Sequence, residues 1–374
     1  FVAYARGSLR KASNEMFGFN LYLIWKKEEY VMKSLRNLLF AVAALAVVVA
    51  FGPGPARAAN KLVVGMPVRP PPMVHLPVYY AIDNGIFKVN GLDVSVKFFR
   101  GGVATYRAAV SGKSGLDLSW VPAPIAMVGI SKGNGQKIFH SMAFLFEAQL
   151  GVAPGIKTVK ELRGKTIGIE GRGGYSHTGA IAVLGPNGLT DKDVKYIKTP
   201  PPARVPFLVN KKADAVLIHV EQVLLAQKLR PGVKAVASLW TYRPKYMYGV
   251  FMAAGSKLQA NSDVYTRFAV AMMQSNRSIY KDKKGLLKTA DKWMKGVYKK
   301  HPGILSQTYD TFVKARIWAV NSGMPKASFA WTNDFNEKRG KYKKGAPSYT
   351  DLIDVSIAKD ALKRIGGAVK PLEN

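Results

Sequence analysis

Between residues 61 and 254, short β-branched or alternating apolar runs change places with stretches of helical spacing, and this alternation passes along the chain twice. Strands separated by helices need crossover connections, so they lie in parallel or mixed sheets with helices on both faces. In the first pass, 61–65 reads as a buried strand. The loop after it carries Pro67, Pro70, Pro71, Pro72 and Pro77 and is too stiff for helix. Helical spacing over 76–84 ends at Gly85, a C-terminal cap, and 92–99 alternates as a strand. Gly101 and Gly102 turn into a helix at 105–111, 116–120 is a third strand, Pro122 opens another helix, and 137–146 is a fourth strand. In the second pass, 159–162 is a helical turn, 166–170 a strand, 171–174 a loop and Tyr175 the start of a helix. Strands at 194–198, 213–218, 233–239 and 248–254 follow, with a proline-rich turn and a helix around Phe207 after the first of them. From Asp263 the pattern is a long amphipathic helix, with Tyr265, Phe268, Ala269, Met272, Met273 and Ile279 near helical spacing. The fold class is α/β with two lobes. The expected division is 59–150 for the first part of lobe I, 151–245 for lobe II, and 246–374 for the return and C-terminal helices. Hinges are expected near 148–152 and 242–248.

The length of 374 residues fits two lobes at roughly 100–200 residues per domain. There is no cysteine, which excludes disulfides, thiolate metal sites and thiol nucleophiles. The formal charge is +33. Such a field favours anionic partners, but the lysines are scattered, and clusters at 281–284 and 341–344 read as solvated helix faces or loops. No zinc-finger spacing, basic zipper or aromatic–basic RNA motif is present, so nucleic acid is not an expected partner.

The N-terminal part has the layout of an address. Met32 is a better start than Phe1. Lys33 and Arg36 make a basic stretch, 38–51 is an unbroken apolar run, Pro53, Gly54 and Pro55 break it, and Ala56-Arg57-Ala58 is a small-x-small cleavage site. The run is short for a membrane span, which needs about 20 residues. A secretory signal peptide is expected over 32–58, with 1–31 an upstream extension and a mature chain from Ala59. Removing 1–58 takes 8 Lys/Arg and 3 Asp/Glu with it and leaves a formal charge of about +28. The expected location is the periplasm.

Four stretches resemble one known family. Residues 76–102 (LPVYYAIDNGIFKVNGLDVSVKFFRGG) match a helix, a Gly-Phe-Phe-like turn, here Gly85-Ile86-Phe87, and a Gly-Leu-Asp-Val strand entry. Residues 108–120 (AAVSGKSGLDLSW) match a helix-to-strand step. The most specific piece is 156–171 (IKTVKELRGKTIGIEG), which resembles the family's entry into its second lobe. Residues 208–222 (LVNKKADAVLIHVEQ) resemble its strand approach, with Lys211 or Lys212 where glycine is common, and 352–367 also fits. The chain therefore resembles the periplasmic binding proteins for nitrate, sulfonates, taurine and thiamine-type pyrimidines, of the type II periplasmic binding fold. That resemblance, over nearly all of 61–367, implies two α/β lobes joined by a double crossover. It also implies a ligand in the cleft, an ABC permease in the inner membrane as partner, a monomer, no cofactor and no catalysis.

The best-defined candidate site is the loop at 171–178, which follows a strand and opens a helix. Glycine there lets a ligand approach the backbone, and free N–H groups with the helix dipole favour an anion. Arg172, Gly173, Gly174, Ser176, His177 and Thr178 are its candidates; a plain turn with an N-cap is the alternative. There is no Walker ending. Opposite, Arg69, His75 and Tyr79 belong to the segment after the first strand, with Tyr79 either there or in the core. Gly101 and Gly102 open a helix. Trp120 either stacks on a ligand or fills the core, and His219 and Glu221 either line the cleft or hydrogen-bond structurally. The expected ligand is a small organic anion, a sulfonate, carboxylate or nitrate-like group, with a neutral pyrimidine-type ligand as alternative. Glu221 would repel an anion. No histidine pair has the i, i+4 spacing of a helical zinc site, and no Gly-x-Ser-x-Gly elbow appears. The rival readings are an enzyme on the same fold and a basic adhesion protein. Of the enzymes, the resemblance to a thiamine-pyrimidine synthase is one of fold alone, since its cysteine-rich motif cannot exist here.

Overall fold

The computed structural model describes residues 26–27, 32–34, 59–294, 296–301 and 303–370. The expected leader, its cleavage site and the upstream extension thus lie outside the described residues, apart from five positions. Among the described residues no helix is long and apolar enough to cross a membrane.

Among the described residues ten strands form two sheets. β1 (Asn60–Met66), β2 (Leu92–Phe98), β3 (Leu118–Pro122), β4 (Gln136–Leu145) and β10 (Met247–Ala254) make the first, in the order β2-β1-β3-β10-β4. β5 (Gln149–Val152), β6 (Thr166–Ile169), β7 (Lys195–Lys198), β8 (Ala215–Ile218) and β9 (Lys234–Ser238) make the second, in the order β7-β6-β8-β5-β9. The two orders are one plan used twice. In each, three parallel strands meet one antiparallel strand that the chain supplies on crossing between sheets: β10 pairs antiparallel with β3 and β4, and β5 with β8 and β9. This is the expected two-lobed α/β fold.

Burial follows strand position. β3 and β8 are buried at every residue, as strands covered on both faces must be. β2, at an edge, alternates along its first half, with Leu92 and Val94 inward and Asp93 and Ser95 outward. The other edge, β4, is covered by the C-terminal segment, where Asp354 N–H donates to Ile138 O. The long helix Ser262–Ile279 lies on the first sheet through Phe268, whose ring meets Phe251 at 5.1 Å and Phe87 at 5.4 Å.

β5 is absent from the sequence reading, and it moves a boundary. The chain leaves the first sheet after Leu145 and enters the second at Gln149, so residues 149 and 150 belong to the second sheet. It leaves β9 at Ser238 and rejoins the first sheet at Met247. A four-residue strand holding Gly151 has too little periodicity to show itself; its partners on both sides define it.

Candidate functional site

The site grows from the carboxyl ends of the strands, where open α/β sheets gather ligands. After β1, Pro67 and the Pro70–Pro72 run hold the chain extended until the short helical turn Met73–His75 hands it to the helix Leu76–Asp83. After β2, Gly101 takes φ 101° and starts the helix Gly102–Val110. A Cβ on Gly102 would lie 2.4 Å from Pro122 Cδ, so only glycine lets these two strand ends approach. From the second sheet come Glu170 after β6, Pro201 and Arg204 after β7, and His219 after β8. They meet His75, Trp120 and Tyr248 of the first lobe around an inner cavity of about 30 Å³, room for a water molecule. It continues outward into a cavity of about 320 Å³ that shares Val68, Pro201, Arg204 and His219 with it.

Rings and acids make the inner wall. His75 lies 4.3 Å from the Trp120 ring, and its Nε2 is 3.0 Å from the Tyr248 hydroxyl. Across the cleft, Tyr175 stacks on His219 at 5.2 Å, and the two lobes' imidazoles are 6.5 Å apart. Glu147, in the crossing between β4 and β5, accepts from Val220 N–H at 3.0 Å and sits 2.8 Å from His219 Nδ1. Both are buried, and desolvation pushes the Glu147 carboxyl up and the His219 imidazole down to about 4. Burial thus opposes the charged form of each of these two groups. Glu221 is 1% exposed, and burial together with Glu147 raises its carboxyl to about 7. Several buried polar atoms at this cleft have no partner: His75 Nδ1, Trp120 Nε1, Arg204 Nε and Glu221 Oε2. Unpaired buried polar groups are costly in a finished core, and a ligand is one way to satisfy them. Among the described residues no His, Asp and Glu side chains converge as a metal site.

Residues 73–284, more than half of the chain, match the family model described as NMT1/THI5 like. The chain belongs to the NMT1/THI5-like family. No curated protein matches it in sequence. In fold, the NMT1/THI5-like chain is similar to the nitrate-binding protein NrtA from Synechocystis, with TM-score 0.65 and 13% identity over 82% of this chain and 89% of that one. It is similar to the alkanesulfonate-binding protein SsuA from Xanthomonas axonopodis bound to MOPS, with TM-score 0.64 and 16% identity over 79% and 99%. A ligand-binding component of an ABC-type import system from Staphylococcus aureus gives TM-score 0.64 and 14% identity over 81% and 99%. At such identities the likeness is one of fold, the periplasmic-binding-protein fold.

In this NMT1/THI5-like chain part of the donor set expected of the loop at 171–178 is already engaged. Glu170 Oε1 accepts from Tyr175 N–H at 2.6 Å, so the chain's own carboxylate occupies the start of the helix Tyr175–Leu184. Gly174 is required there, because a Cβ would lie 2.6 Å from Glu170 Oε1. Glu170 is also ion-paired with Arg204, whose guanidinium lies over the Tyr175 ring at 4.9 Å. Gly173 N–H donates to His177 Nδ1 at 2.9 Å, Ser176 Oγ accepts from Glu170 N–H at 2.9 Å, and Thr178 Oγ1 donates to Gly174 O at 2.9 Å. Arg172 points out, 69% exposed and 3.7 Å from Asp191. With Gly173 and Thr178 it lines a separate groove beside Arg107 and Arg339. The loop expected to cradle an anion thus has Gly173 N–H and Tyr175 N–H engaged by the chain's own His177 and Glu170.

The other candidates divide. His75, Gly101, Gly102, Trp120 and His219 line the inner cavity, and Arg69 and Glu221 line the outer one. Tyr79 is fully buried against Trp293, ring centres 4.7 Å apart, and belongs to the core. Glu147, Glu170, Tyr175, Arg204 and Tyr248 are site residues that sequence reading passed over. Glu170 and Arg204 had a signal, since Glu170 directly follows one second-lobe strand and Arg204 opens the helix after the next. Glu147 had none, because its place depends on the crossing.

Proposed function

We propose that this chain captures a small solute between its lobes and passes it to an ABC-type permease, acting in the periplasm after export and without chemical turnover. One observation carries the reading. Strand ends from two sheets of one plan converge on a cavity whose buried polar atoms lack partners, the arrangement of a site built to be filled. Neighbours of this fold that are named for nitrate, alkanesulfonate or ABC import support it. So does the leader-like sequence before Ala59. Ser176 and His177 are each engaged with loop backbone rather than with the other.

The test is native mass spectrometry of protein taken from its own periplasm, followed by chemical identification of what it carries. A single small molecule at one per chain, returned unaltered after incubation, is the expected result. One observation favours a second reading: the buried Glu147–His219 pair has the geometry of an oriented acid–base couple. Steady conversion of the bound molecule, lost in His219→Ala, would establish that enzyme reading instead.

A further inference from the structure

The outer cavity has a chemical sign. Arg69, Arg204, His219 and Gln222 line it, and two of its walls are apolar and stiff, Pro70, Pro71 and Pro72 from the first lobe and Pro201, Pro202 and Pro206 from the second. Glu221 lies between them. Its Oε1 accepts from Met73 N–H at 3.2 Å, a bond from one lobe to the other, and its Oε2 has no partner. Two guanidiniums line the same cavity: Arg204 is committed to Glu170, and Arg69 lies over the Phe98 ring at 5.2 Å. Of the other acids of the cleft, Glu147 lies 2.8 Å from His219 Nδ1 and Glu170 is paired with Arg204, while burial holds His75 and His219 neutral. Tyr175, Tyr248 and Tyr298 are the remaining titratable groups that feel Glu221, and burial keeps all three protonated. An anion placed against Glu221 would meet its carboxylate, whereas a cation would find an unpaired carboxylate oxygen in a dielectric that strengthens the attraction.

We propose that the outer cavity binds a small organic cation, an amine or amidine on an apolar ring or chain, with its charged nitrogen on Oε2 of Glu221 and its apolar body between the proline walls. This rests on the reading of the cleft as a solute site. Because Glu221 also holds Met73 of the opposite lobe, its ionisation by the ligand strengthens the bond that joins the lobes. Glu221 titrates near 7 in the empty protein. A ligand already protonated therefore drives one proton off Glu221 when it binds at pH 6, and nearly none at pH 8.

The experiment is calorimetry of purified protein against benzylamine, benzamidine, phenethylamine and the matched probes benzoate, benzenesulfonate and phenylacetate. Runs at pH 6 and pH 8, in buffers of different ionisation enthalpy, count the proton. The expected result is binding of one or more of the cations and of none of the anions. Affinity should rise between pH 6 and pH 8, proton release should approach one at pH 6, and Glu221→Gln should weaken binding at least tenfold. The glutamine keeps an acceptor for Met73 N–H, and the proton count on wild-type protein is independent of how any variant folds. Preference for an anionic probe, or cation binding without proton release at pH 6, overturns the charge assignment and leaves solute capture standing. Binding of no probe, together with native protein that carries no small molecule, overturns both.

Discussion

Glu221 ties the site to the stability of the empty protein. Its ordinary value is 4.5, and in the fold it titrates near 7. Between these limits the folded state keeps a proton that the unfolded chain has released. The stability Glu221 lends is therefore full below pH 4.5 and is lost as the pH rises through 7, a span worth about 3 kcal/mol. Glu147 is shifted in the same direction. His219 acts oppositely, because its folded value falls from 6.5 to about 4, so its contribution is present above pH 6.5 and is lost as the pH falls through 4. Glu221→Gln removes the first of these effects. It should stabilise ligand-free protein at pH 8 more than at pH 5, by about 2 kcal/mol; urea titrations at both pH values that give equal gains would show Glu221 to be solvated. Gly249 matters for a different reason. A Cβ there would lie 1.9 Å from Trp120 Cζ2 on the neighbouring strand. Gly249→Ala must displace the indole, and a loss of about 1–3 kcal/mol is expected by chemical denaturation. An unchanged midpoint would mean that the indole has room to move.

At the scale of elements, the start of the helix Tyr175–Leu184 shows why a helix N-terminus is only half of an anion site. The sequence has the glycines, the hydroxyls and the helix that anion binding uses, but Glu170, the last residue of the TIGIE run, folds back onto Tyr175 N–H and pairs with Arg204. The anion is internal. Glu170→Ala should therefore vacate a real cradle. Thermal melts should show sulfate raising the midpoint of this variant above that in chloride of equal ionic strength, with no such difference in wild type. A wild-type response as large as the variant's would mean that sulfate binds elsewhere. The same comparison marks what could be read in advance. The strand and helix that frame this loop were legible from alternation and from glycine placement; the donor partners were not, because a carboxylate's rotamer is set by Arg204, which arrives from another crossover 34 residues away in the chain.

At the scale of the whole molecule, two sheets of identical strand order are joined by two segments, 146–148 and 239–246. Aromatic rings concentrate there: Phe146 packs on Tyr175 of the second lobe at 5.1 Å and on Tyr246 of the returning segment at 4.8 Å. A hinge made of few residues can rotate while both sheets stay intact. Closure on ligand should shrink the particle, so small-angle scattering with saturating native ligand is expected to show a smaller radius of gyration. An unchanged radius would mean that the ligand enters without lobe movement.

The sequence by itself determined the elements and their class. Period-2 runs such as 92–99, helical spacing such as 263–279 and glycine at turns act within a few residues, so alternation, the two-pass plan and most strand positions are local properties. It also brought His75, Trp120, His219 and Glu221 forward as candidates, because each ends or follows a strand. Tertiary structure decided what depends on distant partners. β5 exists because β8 and β9 hold it on either side. Tyr79 is core because Trp293 closes over it. The pairing inside the cleft depends on where Glu147, Glu170 and Arg204 come to lie, and three residues from three separate connections are brought into one cleft only when both sheets have formed. Local pattern specifies which backbone segments fold, whereas burial, pairing and the resulting proton affinities are set by neighbours that the chain brings in from far along its length.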